Sequence, residues 1–576
     1  MDIFPQERRI HAVGKAVLKN LKDTPLDELH LSINRVLHIE AVSVPGATLM
    51  EDDPEKAKQF GYYRYRFDKP LWPNDEVIVS FDLSWINEGF PNSRSTTRVV
   101  HNGTFVNNTE IFPLVGYNTG LELQDNNKRR KYGLPPVQRL PKYGDKAFLD
   151  VNQLGVSTRA AFHTVVSTSV DQMAVAPGYI QREWVEEGRR FFEYQMDQPI
   201  WAFVSYLSAD YAVDRDRWQD VSLEVYHHPK HDYNVRRMIE ASQKGLAYFS
   251  EAFSPYQYRQ FRILEFPAYA SFAQSFPNTI PFSEAIGFIA DLRDPKDIDY
   301  VFYVTAHELA HQWWAHQVVG AHMQGETVIV ETLAQYSALM LMEHEYGPQK
   351  MRRFLKYELD RYLQSRGGEL IEELPLKLVE NQGYIHYRKG SLVMYALKDA
   401  IGEAAVNRAL RSFIETYAFK DAPFPTSGDL IREFRKVAGP EHQKLITDLF
   451  EKITLFDLKV AEVDVEPLED GRYKLHVDIQ GAQYEADGEG RETEVPLEAW
   501  LDVGVFPETP SELARDLGEE DLPPPLLLER HLIRSGSNAL ELIVTGRPDR
   551  VGIDPYVKMI DRNPDDNLQQ VELEGS

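Results

Sequence analysis

The chain has 576 residues, too many for one hydrophobic core and enough for about three domains. Its 43% hydrophobic and 11% aromatic content excludes a disordered chain, and the absence of cysteine excludes disulfides, thiolate catalysis and thiolate metal ligation, so any metal must be held by histidine and carboxylate. With 89 acidic against 63 basic residues, the formal net charge of −26 argues against nucleic acid or an anionic membrane as partner and favours attraction of cationic substrates.

The opening residues carry Asp2, Glu7, Arg8 and Arg9 and have no signal-peptide core, and no later run approaches the ~20 apolar residues of a membrane span. The expectation is a soluble chain, cytoplasmic unless its native parent is membrane-anchored. Short alternating runs such as EVIVSFDLSW and WAFVSYLSADYAV, broken by turn residues, predict an N-terminal antiparallel β domain over residues 1–228. Within it, Lys128, Arg129, Arg130 and Lys131 read as a solvated loop. Asn102-Gly103-Thr104 and Asn107-Asn108-Thr109 match glycosylation acceptors, a tripeptide too common to establish a secretory origin.

The period changes after Asp232, and helices dominate residues 229–456, interrupted by a short β interlude at 261–289. Residues 299–314 predict a helix without Gly or Pro, and a second helix over 331–346 ends at Gly347-Pro348. From Leu458 strands return, so residues 457–576 predict a C-terminal β domain containing an acidic, Pro-rich loop from Leu517.

The chemistry is concentrated in HELAHQWWAH, residues 307–316. On a helix, positions i and i+4 share a face, so His307 and His311 can aim their imidazoles at one ion. Glu308 falls beside them as a general base for water, and a carboxylate from the next helix, Glu331, completes an N,N,O set that leaves a fourth position open. The competing reading is a surface helix with solvated histidines. Pairing with Glu331 argues against it.

HELAHQWW, Glu331 and the tetrapeptide Tyr387-Arg388-Lys389-Gly390 resemble the aminopeptidase N family, peptidase family M1, over nearly the whole chain. The resemblance implies a multidomain α+β architecture with a thermolysin-like, mostly-α zinc peptidase domain and a C-terminal β-sandwich. It also implies one zinc ion on His307, His311 and Glu331, peptide substrates, and Tyr387 as the donor to the oxyanion, a role worth ~3 kcal/mol. His316, His322 and His386 remain polar surface or packing residues, and Tyr384 is the residue most easily confused with Tyr387.

Three departures from the family pattern carry consequences. Nineteen residues separate His311 from Glu331 where the family has eighteen, placing the extra one in the connection 315–327 with Gly320 and Gly325; Glu326 is the competing ligand. The family's Gly-x-Met-Glu-Asn is here Gln274, Ser275, Phe276, Pro277 and Asn278, so the amine-anchoring glutamate has become a proline, which confines its strand to an edge. Asn278 and Glu284 are then the candidate substrate contacts. The residues given hold no counterpart of the large C-terminal helical domain of many members, and the expectation is a less enclosed cleft.

The variant segments SFAQSFPNTIPFSE, HELAHQWWAHQVVG and ETLAQYSALM look like one branch of the family, peptidase domains attached to ABC-type transporter permeases, which makes tethering to a membrane permease an expectation for the native protein. The expected activity is that of a zinc aminopeptidase. An endopeptidase, an epoxide hydrolase and a zinc-stabilised accessory or scaffold domain of a transporter are the alternatives.

Overall fold

The computed structural model describes all residues except 51–53, 88–97, 138, 156–157, 370, 511–512, 514–516, 519–520 and 573–576. The chain is mixed α+β, with a β-rich N-terminal region, a helical middle and C-terminal strands. It divides into two compact units, Met1–Arg139 with Thr158–Ile239 and Tyr258–Ala290, and Leu140–Ser157 with Glu240–Gln257 and Asp291–Ser576. No helix among the described residues is long and apolar enough to cross a membrane.

In the first unit the antiparallel pair Arg9–Lys19 and Glu76–Ile86 runs inside a seven-stranded sheet, in register from Arg9 opposite Ile86 to Lys19 opposite Glu76. Val77, Val79, Phe81, Leu83 and Trp85 point inward while Ile78 and Ile86 face outward, the period-2 alternation of a sheet covered on one face. Gly14 lies opposite Phe81, and a Cβ there would meet the ring at 2.5 Å. The unit is not purely antiparallel, because Asp2–Phe4 pairs in parallel with His163–Ser169. The basic cluster is a correction to the expected loop. It forms the helix Asn126–Lys131, capped by Asp125, and Arg129 is buried on Glu122 and the carbonyls of Leu123 and Pro135.

Four further strands form a mixed sheet in the order β1 (Ala212–Trp218), β2 (Val221–His227), β3 (Gln260–Phe266) and β4 (Thr279–Ser283). The interlude strands β3 and β4, expected with the zinc-binding segment, belong to the first unit, since parallel backbone pairing joins β3 to both β2 and β4. Strand β4 ends the order of named strands, with the backbone of Phe272 and Gln274 bonded to its outer side, and Pro277 lies outside it in a tight turn closed by reciprocal backbone hydrogen bonds between Phe276 and Thr279. Asn278 takes the left-handed position of that turn at φ 50°, which asparagine tolerates.

The second unit contains the helices. After α1 (Val235–Ala252), which enters it from Glu240, come α2 (Tyr300–Ala310), α3 (Leu333–Tyr346), α4 (Met351–Gly367) and α5 (Gly390–Ile401). Asp299 caps α2 by accepting the Phe302 N–H, and Gly347 ends α3 at φ 83°. The C-terminal strands form two four-stranded sheets, one built on Ile453–Pro467 and Tyr473–Ala486, the other on Glu498–Phe506 and Leu527–Arg534. Leu458, Leu475 and Ile479 of the first share one core with Val503, Val505 and Ile533 of the second. Arg352 of α4 donates to the Pro555 carbonyl, and Asp521, from the expected acidic loop, is buried against Lys350 and Arg353. Glu519 and Glu520 of that loop lie outside the described residues.

Candidate metal centre

Helix α2 is buried from Val301 to Ala310 because its apolar residues continue around the cylinder, so the polar side chains of that stretch face other protein groups. The next two residues after His311 and Gln312 fasten its end. Trp313 donates its indole N–H to the Ser254 carbonyl and Trp314 to the Ser337 hydroxyl of α3, fixing α2 to α1's trailing segment and to α3. His307 and His311 are 7% and 8% exposed and face each other across one turn with their Nε2 atoms 3.2 Å apart.

Glu331 arrives from a π-helical turn, Val328–Thr332, immediately before α3. Its Oε2 lies 3.6 Å from His307 Nε2 and 3.5 Å from His311 Nε2. A π turn holds about one residue more than an α turn, so the additional residue of the His311–Glu331 spacing has a place inside the helix itself, apart from the glycines where the sequence puts it. Glu326 is committed elsewhere, its Oε2 being 2.8 Å from His322 Nδ1.

The donor set fits a zinc ion. Four ligands at the ~2.0–2.1 Å of zinc coordination are about 3.4 Å apart when tetrahedral, and the three contacts here are 3.2, 3.5 and 3.6 Å. The Nδ1–H of His311 donates to the Trp314 carbonyl at 3.1 Å, which leaves its Nε2 as a bare lone pair aimed at the other two donors. Glu331 Oε2 has no hydrogen-bond partner although it is buried. Three potential ligand atoms converge here, and a cation among them turns their crowding into attraction.

The electrostatics agree with this crowding. Burial pushes His311 down to about 4. Burial opposes the charging of His307 as well, yet Glu331 and Glu308 hold it above the ordinary imidazole range. Glu331 is held well below the usual carboxylate range: burial works against its charge, and the imidazoles of His311 and His307 outweigh burial.

Glu308 is 6% exposed, its Oε2 has no hydrogen-bond partner, and burial pushes it up to about 7. Tyr387 stands on a second π turn, Tyr384–Lys389, which leads into α5. Its ring centroid is 6.0 Å from that of His307, and burial with the carboxylate of Glu331 holds the phenol above its usual range. Tyr384 turns the other way, its ring 6.1 Å from Tyr362.

Asn278 and Glu284 lie in the first unit. Asn278 is 0% exposed, and its side-chain oxygen accepts from Arg262, Gln260 and Thr279, so its amide serves the fold there. Glu284 accepts the Ala268 N–H and sits 3.9 Å from His231. Of the histidines set aside in the sequence, His386 and His316 are buried and His322 is half-exposed. His386 packs edge-on against the Tyr387 ring at 4.3 Å, and its carbonyl accepts from Thr332 on the Glu331 turn, tying the two π turns together. Sequence reasoning misses this tie and the Gln335 oxygen that accepts from Tyr303, because neither has a local signal.

Residues 237–452 match the sequence profile described as the peptidase family M1 domain. Among curated proteins, endoplasmic reticulum aminopeptidase 2 of Homo sapiens is 24% identical over 214 residues, 35% of this chain and 22% of that protein. Probable aminopeptidase 1 of Sulfurisphaera tokodaii is 23% identical over 236 residues, 40% and 29% of the two chains, and probable aminopeptidase 1 of Saccharolobus solfataricus is 22% identical over 222 residues, 37% and 28%. The chain therefore spans less than a third of the length of these relatives. The profile match and the named relatives fall on the segment that holds the triad, so residues 237–452 are similar to the peptidase family M1 domain.

Proposed function

We propose that the chain is a zinc metallopeptidase that hydrolyses peptide bonds and acts first at peptide N-termini. The observation that carries this reading is the buried His307–His311–Glu331 triad at tetrahedral spacing, with Glu308 next to it holding an unpartnered carboxylate oxygen. A zinc ion held by the three residues supplies a Lewis acid for the scissile carbonyl and a lowered pKa for water. Glu308 accepts the proton from the attacking water and returns it to the leaving amine. Tyr387 donates its hydroxyl proton in a hydrogen bond to the oxygen on which negative charge develops. In this reading the helical segment is a thermolysin-like domain, and the paired C-terminal sheets form a β-sandwich.

The aminopeptidase preference draws on the named relatives. A second reading, an endopeptidase or a peptidase of broader specificity, is favoured by Pro277, which stands in the closed turn before β4 where the family anchors the substrate amine with glutamate. A third, an accessory domain with zinc serving stability alone, is disfavoured by Glu308 and Tyr387, since a structural zinc site requires neither base nor oxyanion donor.

One assay separates the three readings. Fluorogenic aminoacyl substrates, and matched peptides with free and acetylated N-termini, are incubated with enzyme before and after chelation and after zinc is restored. Hydrolysis of free but not acetylated peptides, abolished by chelation and recovered with zinc, is the expected result. Equal hydrolysis of both supports the endopeptidase, and no turnover with zinc bound supports the accessory domain.

A further inference from the structure

The residue after Tyr387 is an arginine, a fixed positive charge beside the proposed oxyanion donor. The structure gives Arg388 an unusual setting. Its Nη1 donates to Glu358 Oε1 at 2.7 Å, and Glu358, on α4, is 0% exposed with its other oxygen lacking any hydrogen-bond partner. The pair is thus engaged along one edge only. The Arg388 side chain is 33% exposed, and Glu358 is its sole ion-pair partner among the described residues.

The surroundings connect this guanidinium to the metal centre within the same unit. It lies 5.4 Å from the Tyr357 ring, and Tyr300, at the start of α2 and 44% exposed, feels the charges of both Arg388 and Glu308. Tyr300 is followed one turn later by Tyr303, whose ring is 6.3 Å from that of His307. A buried ion pair serving stability alone gains little over an apolar pair of the same size, because desolvation of the carboxylate offsets the attraction. A buried carboxylate that grips one edge of a guanidinium does something an apolar residue cannot. It holds one nitrogen of the partly exposed guanidinium and leaves the others to donate elsewhere, and a guanidinium can meet a carboxylate with two parallel hydrogen bonds.

We propose that Arg388, oriented by Glu358, binds a carboxylate of the peptide substrate, carried either by an acidic side chain near the scissile bond or by a nearby C-terminus. The inference rests on the peptidase reading and names a substrate class within it. It also qualifies the acidic character of the chain. A net charge of −26 steers cations at long range, whereas contact specificity is set by the groups that a bound peptide meets, Arg388 among them in this reading.

The test uses the zinc-loaded full chain and the tetrapeptide amide Leu-Ala-Ala-Ala, its variants with glutamate second or third, and the same peptides as free acids. Hydrolysis is measured with the native enzyme, and binding is measured by calorimetry with Glu308→Gln, which holds peptide without cleaving it. The expected result is a preference of about tenfold or more for one carboxylate-bearing peptide over its neutral counterpart, the size of a charge-assisted hydrogen bond. Preference for glutamate assigns the side chain as source, and preference for free acid over amide assigns the C-terminus.

Arg388→Met should bring the ratio to parity, and Arg388→Lys should retain part of it. Because Arg388→Met strands the Glu358 carboxylate, Arg388→Met/Glu358→Gln is measured beside it, with thermal melts to show that each variant folds. No carboxylate preference in the native enzyme, or a preference that survives in both Met variants, overturns the inference. Absence of hydrolysis alongside an Arg388-dependent binding preference overturns the peptidase reading and leaves this one standing.

Discussion

Among the described residues, two triads share one histidine-carboxylate chemistry, His307, His311 and Glu331 in the second unit and His231, Glu265 and Glu284 in the first, each with its ligand atoms within 4.8 Å of one another. Their hydrogen bonding separates them. Both oxygens of Glu265 are engaged, one by His231 Nδ1 and the other by the His228 backbone N–H, and Glu284 Oε1 accepts the Ala268 N–H. At the other triad Glu331 Oε2 has no proton donor, and His311 has its Nδ1–H turned away to the Trp314 carbonyl. Residue type and proximity alone therefore do not separate the two triads. What distinguishes them is that a carboxylate oxygen of one, Glu331 Oε2, has no hydrogen-bond partner while both oxygens of Glu265 in the other do.

The largest expected effect comes from attacking the difference directly. Zinc content by mass spectrometry of the metal should be one ion per chain, lost together with activity in His311→Ala and unchanged in His231→Ala; two ions, or loss of the ion in His231→Ala, would break the comparison. Within the centre, Glu308→Gln should keep the zinc while kcat falls by roughly a thousandfold or more, because a positioned base and the proton it delivers are both removed. Loss of zinc in that variant would mean that ligand and base have been exchanged in our assignment.

Tyr387→Phe removes one donor to the developing charge and should lower kcat by about a hundredfold with KM nearly constant. A change confined to KM would make Tyr387 a binding residue. The smallest effect is expected at the first triad, where Glu265→Leu leaves the His228 N–H and His231 without their acceptor. This should cost about 1–3 kcal/mol of stability in a urea titration, with zinc content intact. A Glu265→Leu protein as stable as the native one would show that these hydrogen bonds do not hold the strand ends together.

Much of the metal centre was legible because it is local. His307 and His311 are one helical turn apart, and nothing outside the helix is needed to place them on one face. The helix ends at Asp299 and Gly347 were legible for the same reason, as each is a capping residue acting on its own backbone. The basic cluster was misread as a loop because the carboxylate and carbonyls that bury Arg129 are acceptors whose positions follow only from the fold. The β interlude was joined to the helices because chain order cannot show that β3 pairs with β2 across the length of α1. The π turns were invisible, since no residue type marks the extra residue they accommodate.

The sequence by itself determined which atoms could hold a metal and which carboxylate could act beside it, because a helix converts a spacing of four into a shared face without outside help. Only the tertiary structure decided that Glu331 meets the two imidazoles while Glu326 is drawn to His322, that Tyr387 and not Tyr384 turns toward His307, and that Arg388 rests on a buried carboxylate. These depend on packing between segments distant in the chain, where the burial of apolar faces sets the position of every polar group they carry.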